Sequence, residues 1–271
     1  MIKTPIRVDA IPTIDRREAG RLAAAENQRF VDLVRSLEPA NWSASTDCPL
    51  WDVRAMVGHL LGSMEGNASF RQFVHQFRAG KKAAGDGPDI DGMTAVQVTE
   101  RAGLTTDEVV AQLVAIAPKA AKARLRIPWP MRAAPIKTEV AGKPETWKLG
   151  FLMDIIFTRD TWMHRIDISR AIGRDPVLTA EHDGRLIADV VADWSRRHGQ
   201  PFTLELTGPA GGTYTSGDGR TDTAARPVAS GGTDPSGGDG GEVITVDAVE
   251  FCRTLSGRAH GAGLLSTEVP F

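Results

Sequence analysis

The sequence predicts an α+β fold, with an N-terminal four-helix bundle over residues 1–176 and a small α/β domain over residues 177–271. Two observations support this division. Helical hydrophobic periodicity dominates the chain up to about Gly173, whereas the alternation of apolar and polar residues that is typical of strands first appears after Pro201. A length of 271 residues also exceeds the usual size of one domain.

The N-terminal region shows four helical segments and one irregular stretch. The helix that begins at Asp52 has a favoured N-cap residue, and Trp51 is placed to pack on Met56 as a hydrophobic staple. Pro118 is a possible kink in the third helical segment, and four prolines make residues 126–144 an irregular loop. The predicted helices cover Asp15–Leu37, Asp52–Arg78, Met93–Ala102 with Thr106–Ala123, and Thr146–Ile172, and Lys81–Gly92 is a polar connection.

The C-terminal region mixes helices and strands. We expect helices over Thr179–His198 and from an Asp247 cap to Leu255, with strands over Pro201–Thr207, Gly212–Thr215 and Glu242–Val246. Between these elements, residues 216–241 are rich in glycine and predict a flexible hairpin tip. This tip is not a phosphate-binding loop, because it does not connect a strand to a helix with the required lysine or spacing.

Composition excludes several classes of function. A hydrophobic fraction of 41%, with 24% charged residues, is typical of a globular protein, and a net charge of −2 argues against a nucleic-acid partner. No stretch approaches the roughly 20 apolar residues that cross a bilayer, so we expect no membrane partner and a cytoplasmic location. Cys48 and Cys252 lie far apart, which predicts reduced thiols rather than a disulfide framework.

Two helical segments each supply a histidine that can bind a metal. Asp160 and His164 are four residues apart and therefore point from one face of a helix. His59 lies within an apolar stripe that includes Met56 and Leu60. If His59 approaches from a facing helix, two imidazoles and one carboxylate form a ligand set that suits zinc and leaves a fourth position open.

Structural interpretations of the same residues remain open. His59 can be a core histidine that hydrogen-bonds a backbone carbonyl, and Asp160 can pair with Arg159 or Arg165 at the helix edge. Asp167 can either orient a ligand imidazole or belong to a salt-bridge network, and of these two the network is favoured.

Three sequence blocks resemble a known family. They are Cys48-Pro49-Leu50-Trp51-Asp52-Val53-Arg54 leading to His59, then Arg159-Asp160-Thr161-Trp162-Met163-His164-Arg165-Ile166-Asp167, and a tail with Leu255-Ser256-Gly257-Arg258, Gly263-Leu264-Leu265 and Val269-Pro270-Phe271. In order and spacing, these blocks resemble the mycothiol-dependent maleylpyruvate isomerase family. That family is a branch of the DinB-like metal-binding four-helix bundles, with a small sterol-carrier-like α/β domain at the C-terminus.

The resemblance implies a site and a chemistry. His59, Asp160 and His164 match the family's zinc ligands, although the family pattern has glutamate at the position of Asp160. Arg258 matches a tail-domain arginine that reaches the active site. The resemblance implies zinc, or another divalent metal, as the cofactor and mycothiol as the cosubstrate.

In this family the thiolate attacks a small electrophile, which makes the expected activity that of a thiol transferase or a cis-trans isomerase. The expected partners are a small-molecule electrophile and a low-molecular-weight thiol, and the protein is expected to be a monomer or a homodimer. Two alternatives are a metal-dependent hydrolase on the same bundle and a non-catalytic metal-binding or regulatory module.

Overall fold

The computed structural model describes residues 4–217 and 241–271, and it has the α+β fold that the sequence predicts. The helices are α1 (Arg16–Arg35), α2 (Val53–Ala68), α3 (Phe70–Ala84), α4 (Asp89–Thr99), α5 (Thr106–Arg124), α6 (Trp129–Arg132), α7 (Leu149–Phe151), α8 (Phe157–Ala171), α9 (Arg185–His198) and α10 (Ala248–Leu255). The strands are β1 (Ile6–Arg7), β2 (Pro135–Val140), β3 (Lys143–Lys148), β4 (Phe202–Thr207), β5 (Gly212–Ser216) and β6 (Glu242–Asp247).

The described residues fall into two compact units when they are grouped by their spatial contacts. The first unit contains Ile14–Val177 together with Pro270–Phe271, and we call it the bundle unit. The second contains the described part of Leu178–Val269 and also the described residues up to Thr13, which the sequence analysis had placed with the bundle. None of the described helices combines the length and the apolar composition needed to cross a membrane.

Four helices, α1, α2, α5 and α8, pack on one another and form the core of the bundle unit. Their shared core includes Phe30, Val34, Met56, Leu60 and Leu113, each of which is almost completely buried. The helix α5 runs through Pro118 without a break. The pair α3–α4 packs against α2, outside these four helices.

The prediction of one helix over Asp52–Arg78 was wrong in one respect. The chain breaks at Ser69, whose backbone is extended, so that α2 ends at Ala68 and α3 begins at Phe70. The Ser69 hydroxyl accepts a hydrogen bond from the Gln72 amide, as an N-cap residue does. The predicted polar connection Lys81–Gly92 is also shorter than expected, because α3 continues to Ala84 and α4 begins at Asp89.

Residues 126–144 were predicted to be irregular, and this was wrong as well. They contain α6 and most of an antiparallel hairpin in which β2 pairs with β3. The turn is formed by Ala141 and Gly142, which both have positive φ angles, as two-residue hairpin turns require. Because β3 extends to Lys148, the last bundle helix begins at Leu149 rather than at Thr146, and it passes through a π-helical segment, Leu152–Ile156, before α8.

The second unit contains a four-stranded sheet in the order β1-β5-β4-β6. The strand β4 is antiparallel to β5 and parallel to β6, in agreement with the predicted strands. Trp194 of α9 packs on Phe202 and Phe251, with ring centroids 4.7 and 5.3 Å apart. Because β4 lies between β5 and β6, these two strands do not pair, so the predicted hairpin between them was wrong; positions 218–240 of that segment lie outside the described residues.

Candidate metal centre

His59 is held in place by the helix that carries it. The carboxylate of Asp52 accepts a hydrogen bond of 2.8 Å from the Ala55 amide and so caps the N-terminus of α2. His59 lies two turns later between Met56 and Leu60, which are both fully buried, and only 6% of His59 is exposed. The apolar stripe around this histidine is therefore part of the core, as the sequence predicts.

Asp160 and His164 project from α8 towards His59. Asp160 Oδ1 lies 3.3 Å from His164 Nε2, and Asp160 Oδ2 lies 3.5 Å from His59 Nε2. The two imidazole rings are 5.3 Å apart and nearly perpendicular, at 85°. Among the residues that the structure describes, these three form a group whose metal-ligating atoms all lie within 4.8 Å of one another.

Each imidazole is also held at its other ring nitrogen. His59 Nδ1 lies 2.8 Å from Gln97 Oε1, and His164 Nδ1 lies 3.1 Å from Asp167 Oδ2. Both partners accept a hydrogen bond here, so each Nδ1 carries the proton. When the rings are neutral, the lone pairs of both Nε2 atoms therefore point at Asp160.

This donor set fits a divalent cation. The Nε2 lone pairs of His59 and His164 converge with the carboxylate of Asp160. All of these groups are hydrogen-bond acceptors, so they repel one another unless a cation or a proton lies between them. In a tetrahedral zinc site with bonds of about 2.0–2.1 Å, ligand atoms are about 3.3–3.4 Å apart, and each imidazole Nε2 has one oxygen of Asp160 at a comparable distance, 3.3 Å for Oδ1 and 3.5 Å for Oδ2. Aspartate thus reaches both imidazoles in spite of being one methylene shorter than glutamate.

The contacts between Asp160 and the two imidazoles also determine the pKa values in the metal-free site. Burial favours the neutral form of Asp160, but the imidazoles of His164 and His59 outweigh it and hold the pKa of this carboxyl well below its usual range. Burial likewise acts against a charged His164, but the Asp160 carboxylate, aided by Asp167 and Cys48, raises the pKa of this imidazole well above 6.5. Without a metal ion, a proton on His164 balances the charge of Asp160.

Residues of the Cys-Pro-x-Trp block border the site. The Trp51 ring lies over both imidazoles, with centroids 4.8 Å from His59 and 5.8 Å from His164. The Cys48 thiol donates to Asp167 Oδ2 at 3.9 Å and is a free cysteine, as predicted. This block therefore covers the imidazoles on one side and contacts the carboxylate that holds His164.

A buried cation, Arg124 of α5, lies within electrostatic range of the site. Its guanidinium donates to the Thr158 hydroxyl at 3.2 Å and lies 5.3 Å from the centre of the Phe157 ring. Burial lowers the pKa of Arg124 to about 10, against the opposing effect of Asp160 and Asp154. Arg124 is still positively charged at neutral pH.

The structure distinguishes among the interpretations that the sequence left open. Asp160 pairs with the two imidazoles, whereas the Arg165 guanidinium binds the buried carboxylate of Glu26 at 2.6 Å. Asp167 Oδ2 lies 3.1 Å from His164 Nδ1 and 3.9 Å from the Cys48 thiol, so it orients this imidazole and also belongs to a wider set of polar contacts. Arg258 lies after α10 in the second unit, where its amide donates to Arg253 O, and its predicted role in the site stays a prediction.

Gln97 and Arg124 were not predicted from the sequence, and Trp51 was predicted only to pack on Met56. Nothing in the local pattern of Gln97 or Arg124 distinguishes them from other polar helical residues. For Trp51, the position directly before the capped helix of His59 is a usable signal, because a side chain there folds back over the first helical turns.

Comparison with known proteins identifies a family. The model of the mycothiol maleylpyruvate isomerase N-terminal domain matches residues 23–169. Two uncharacterized proteins of Mycobacterium tuberculosis, from strains CDC 1551 / Oshkosh and ATCC 25618 / H37Rv, are each 24% identical to this chain over 208 residues, covering 71% of this chain and 74% of theirs.

Solved structures share the fold. The crystal structure of the mycothiol-dependent maleylpyruvate isomerase has a TM-score of 0.53 and 14% identity, covering 99% of this chain and 98% of its own. The crystal structure of its histidine-to-alanine mutant has a TM-score of 0.53 and 12% identity, covering 95% and 93%. The family match spans more than half of the sequence, and the chain therefore belongs to the mycothiol maleylpyruvate isomerase N-terminal domain family.

Proposed function

We propose that this protein is a metal-dependent thiol transferase or cis-trans isomerase, in which His59, Asp160 and His164 hold zinc or another divalent cation. The observation that carries the proposal is the convergence of two imidazole Nε2 atoms on one carboxylate, with each Nδ1 already bonded to a buried acceptor. Such outer hydrogen bonds are typical of metal-binding histidines.

The proposed cosubstrate is mycothiol, as in the isomerases whose fold this chain shares. A divalent cation bound at the three ligands would lower the pKa of a thiol, so that a thiolate nucleophile exists at neutral pH without a dedicated base. The protein's own side chains then have three tasks. The imidazoles and Asp160 bind the cation, Gln97 and Asp167 orient the imidazoles, and the Trp51 ring excludes water from one side.

The electrophile is a small molecule, such as an activated alkene, that accepts the thiolate. In an isomerisation the thiolate adds to a cis double bond, the resulting single bond rotates, and the thiolate leaves; in a transfer it stays bound. Arg258 is proposed to bind a substrate carboxylate through its planar guanidinium. Cytoplasmic localisation, where thiols stay reduced, belongs to the same proposal.

Metal analysis combined with thiol titration tests the proposal. We expect about one equivalent of divalent metal in the purified protein, and calorimetric binding of mycothiol only to the metal-loaded form. His59→Ala and His164→Ala should each abolish metal retention. His75→Ala is the matched control, because it removes an exposed histidine that pairs with Glu100.

The two alternatives give different results. A metal-dependent hydrolase would retain the metal but show no binding of mycothiol and no thiol-dependent turnover of maleylpyruvate or an epoxide. A non-catalytic module with a degenerate site would contain less than about a tenth of an equivalent of metal. Unchanged metal content in both ligand variants would refute the proposed site.

A further inference from the structure

A chain of buried amides runs from the candidate metal centre to the backbone of α2. Gln97 Oε1 lies 2.8 Å from His59 Nδ1, and Gln97 Nε2 lies 3.0 Å from Gln76 Oε1. Gln76 Nε2 in turn lies 2.8 Å from the carbonyl oxygen of Gly62. Both glutamines are almost completely buried, at 1% exposed for Gln76 and 3% for Gln97.

The donor and acceptor atoms of these hydrogen bonds follow from the last group in the series, the Gly62 carbonyl. A backbone carbonyl can only accept, so the Gln76 atom next to Gly62 must be the NH₂ group, and Gln76 presents its oxygen to Gln97. Gln97 must then present its own NH₂ group to Gln76 and its oxygen to His59. An oxygen at that position accepts only from a protonated Nδ1, which leaves the lone pair of His59 on Nε2.

The helices are shaped to bring these amides close. A Cβ atom at Gly62 would lie 2.8 Å from both Cβ and Cγ of Gln97, and one at Gly66 would lie 2.8 Å from Gln76 Oε1. The α2 face towards α3 and α4 therefore has glycine at the two points where the glutamines approach. The contact between the amides and this helix requires the absence of side chains there.

We propose that Gln76 and Gln97 are positioning residues that set the tautomer of the neutral His59 ring, so that its lone pair lies on Nε2, the nitrogen that faces Asp160 and would bind the metal. The Gly62 carbonyl can only accept, and this fixes which atom of each glutamine donates and which accepts along the hydrogen bonds to His59. The consequence for metal affinity rests on the proposed function, whereas the tautomer itself does not. Asp167 holds His164 Nδ1 in the same way, so the proton that His164 would lose on binding a metal is the one on Nε2.

The first test measures the tautomer in the metal-free protein. Long-range ¹⁵N–¹H spectra of ¹⁵N-histidine-labelled protein distinguish a protonated ring nitrogen from one with a lone pair, and a pH series identifies the spectrum of the neutral His59 ring. We expect the proton of His59 on Nδ1 in the wild type. A proton on Nε2 in the wild type overturns the proposal, whatever the variants do.

The second test uses variants of Gln97. Gln97→Met keeps the volume but removes the acceptor, and we expect mixed tautomers of His59 and roughly 10- to 100-fold weaker zinc binding in chelator competition, as for other outer-shell partners of metal-binding histidines. Gln97→Glu keeps the acceptor for His59 Nδ1 but loses the donor to Gln76 Oε1, so it should preserve the Nδ1 proton and zinc binding while lowering the stability of the fold. Asn27→Leu is the matched control, because it deletes one buried amide that donates to the Ala117 carbonyl at 3.0 Å.

The outcomes separate this inference from the proposed function. If the wild type shows the Nδ1 proton but binds no metal, the proposed function fails and the positioning role stands. If Gln97→Met keeps the wild-type tautomer and zinc affinity, the positioning role is refuted. If Asn27→Leu weakens zinc binding as much as Gln97→Met, the effect of Gln97 is general destabilisation and the proposal also fails.

Discussion

Asp160→Asn tests the electrostatic basis of the candidate metal centre, because asparagine keeps the shape of the side chain and removes its charge. The Asp160 side chain is only 20% exposed, and its two oxygens lie 3.3 and 3.5 Å from the imidazole Nε2 atoms. Its charge therefore acts through little water. Removing one partner of a buried charge pair costs about 3–5 kcal/mol.

This energy gives the expected loss of affinity. With a factor of ten for each 1.4 kcal/mol, zinc binding should weaken by about 100- to 3,000-fold. Competition with a chromophoric chelator at constant pH measures this change directly. The thermal stabilisation that zinc gives to the wild type should be much smaller in the variant at the same zinc concentration, since it follows from binding to the folded state.

Asp154→Asn is the matched control for this prediction. Asp154 lies on the π-helical segment just before α8, its side chain is 13% exposed, and its carboxylate pairs with Arg132. The control should lower the thermal midpoint through the loss of this ion pair and leave zinc affinity within about a factor of two, because Asp154 does not contact the imidazoles. Zinc binding by Asp160→Asn within about threefold of the wild type would refute a metal centre built on this carboxylate.

Three further predictions follow from the same contacts. The pKa of His164 is raised in the metal-free protein, so metal binding should release its proton, and the apparent metal affinity should rise with pH up to that pKa. Calorimetry in buffers of different ionisation enthalpy measures the released proton. A metal affinity that does not depend on pH would contradict this prediction. Gly62→Ala should lower the thermal midpoint and weaken zinc binding, because the new Cβ would lie 2.8 Å from Gln97. Glycine-to-alanine changes inside helices usually stabilise a protein by about 0.5–1 kcal/mol, so a higher thermal midpoint would contradict this close approach. Asp52→Ala should cost about 1 kcal/mol in urea unfolding, because the cap bond to the Ala55 amide is lost, and unchanged stability would show that the cap is dispensable.

The sequence sufficed to single out His59, Asp160 and His164, which the structure brings together, because their signals are local. Asp160 and His164 are one helical turn apart, and ionisable groups that interrupt a core-facing stripe need a partner or a cation. His59 stands in a run of apolar residues at helical spacing, which placed it in the core. The structure brings the three together, with one oxygen of Asp160 within 3.5 Å of each imidazole Nε2.

The supporting residues could not be predicted because they depend on tertiary packing. Gln97 lies 38 positions after His59, and Gln76 belongs to a helix that hydrophobic periodicity alone does not separate from α2. The hairpin β2–β3 was missed for a different reason. Proline normally interrupts strands, but Pro135 and Pro144 lie in an isolated two-stranded ribbon, where missing amide donors are tolerated.

The side chains that hold the two imidazoles differ in charge, and this difference affects whether a thiol would bind as an anion. Asp167 holds His164 with a carboxylate, whereas Gln97 holds His59 with a neutral amide. A divalent cation would be balanced by Asp160 and Asp167, which leaves the positive charge of Arg124 in electrostatic range of the site. We therefore expect the metal-loaded site to favour an anionic ligand such as a thiolate.

Gln97→Glu tests this charge balance, because it adds one buried negative charge and preserves the acceptor for His59, although it removes the donor to Gln76 Oε1. The variant should bind zinc at least as tightly as the wild type but mycothiol more weakly, since the added charge repels a thiolate. Calorimetric titration of mycothiol into fully zinc-loaded protein separates the two effects. Wild-type thiol affinity in this variant would mean that the thiol binds without its negative charge near the imidazoles, and the neutral amide at position 97 would then serve only to orient His59.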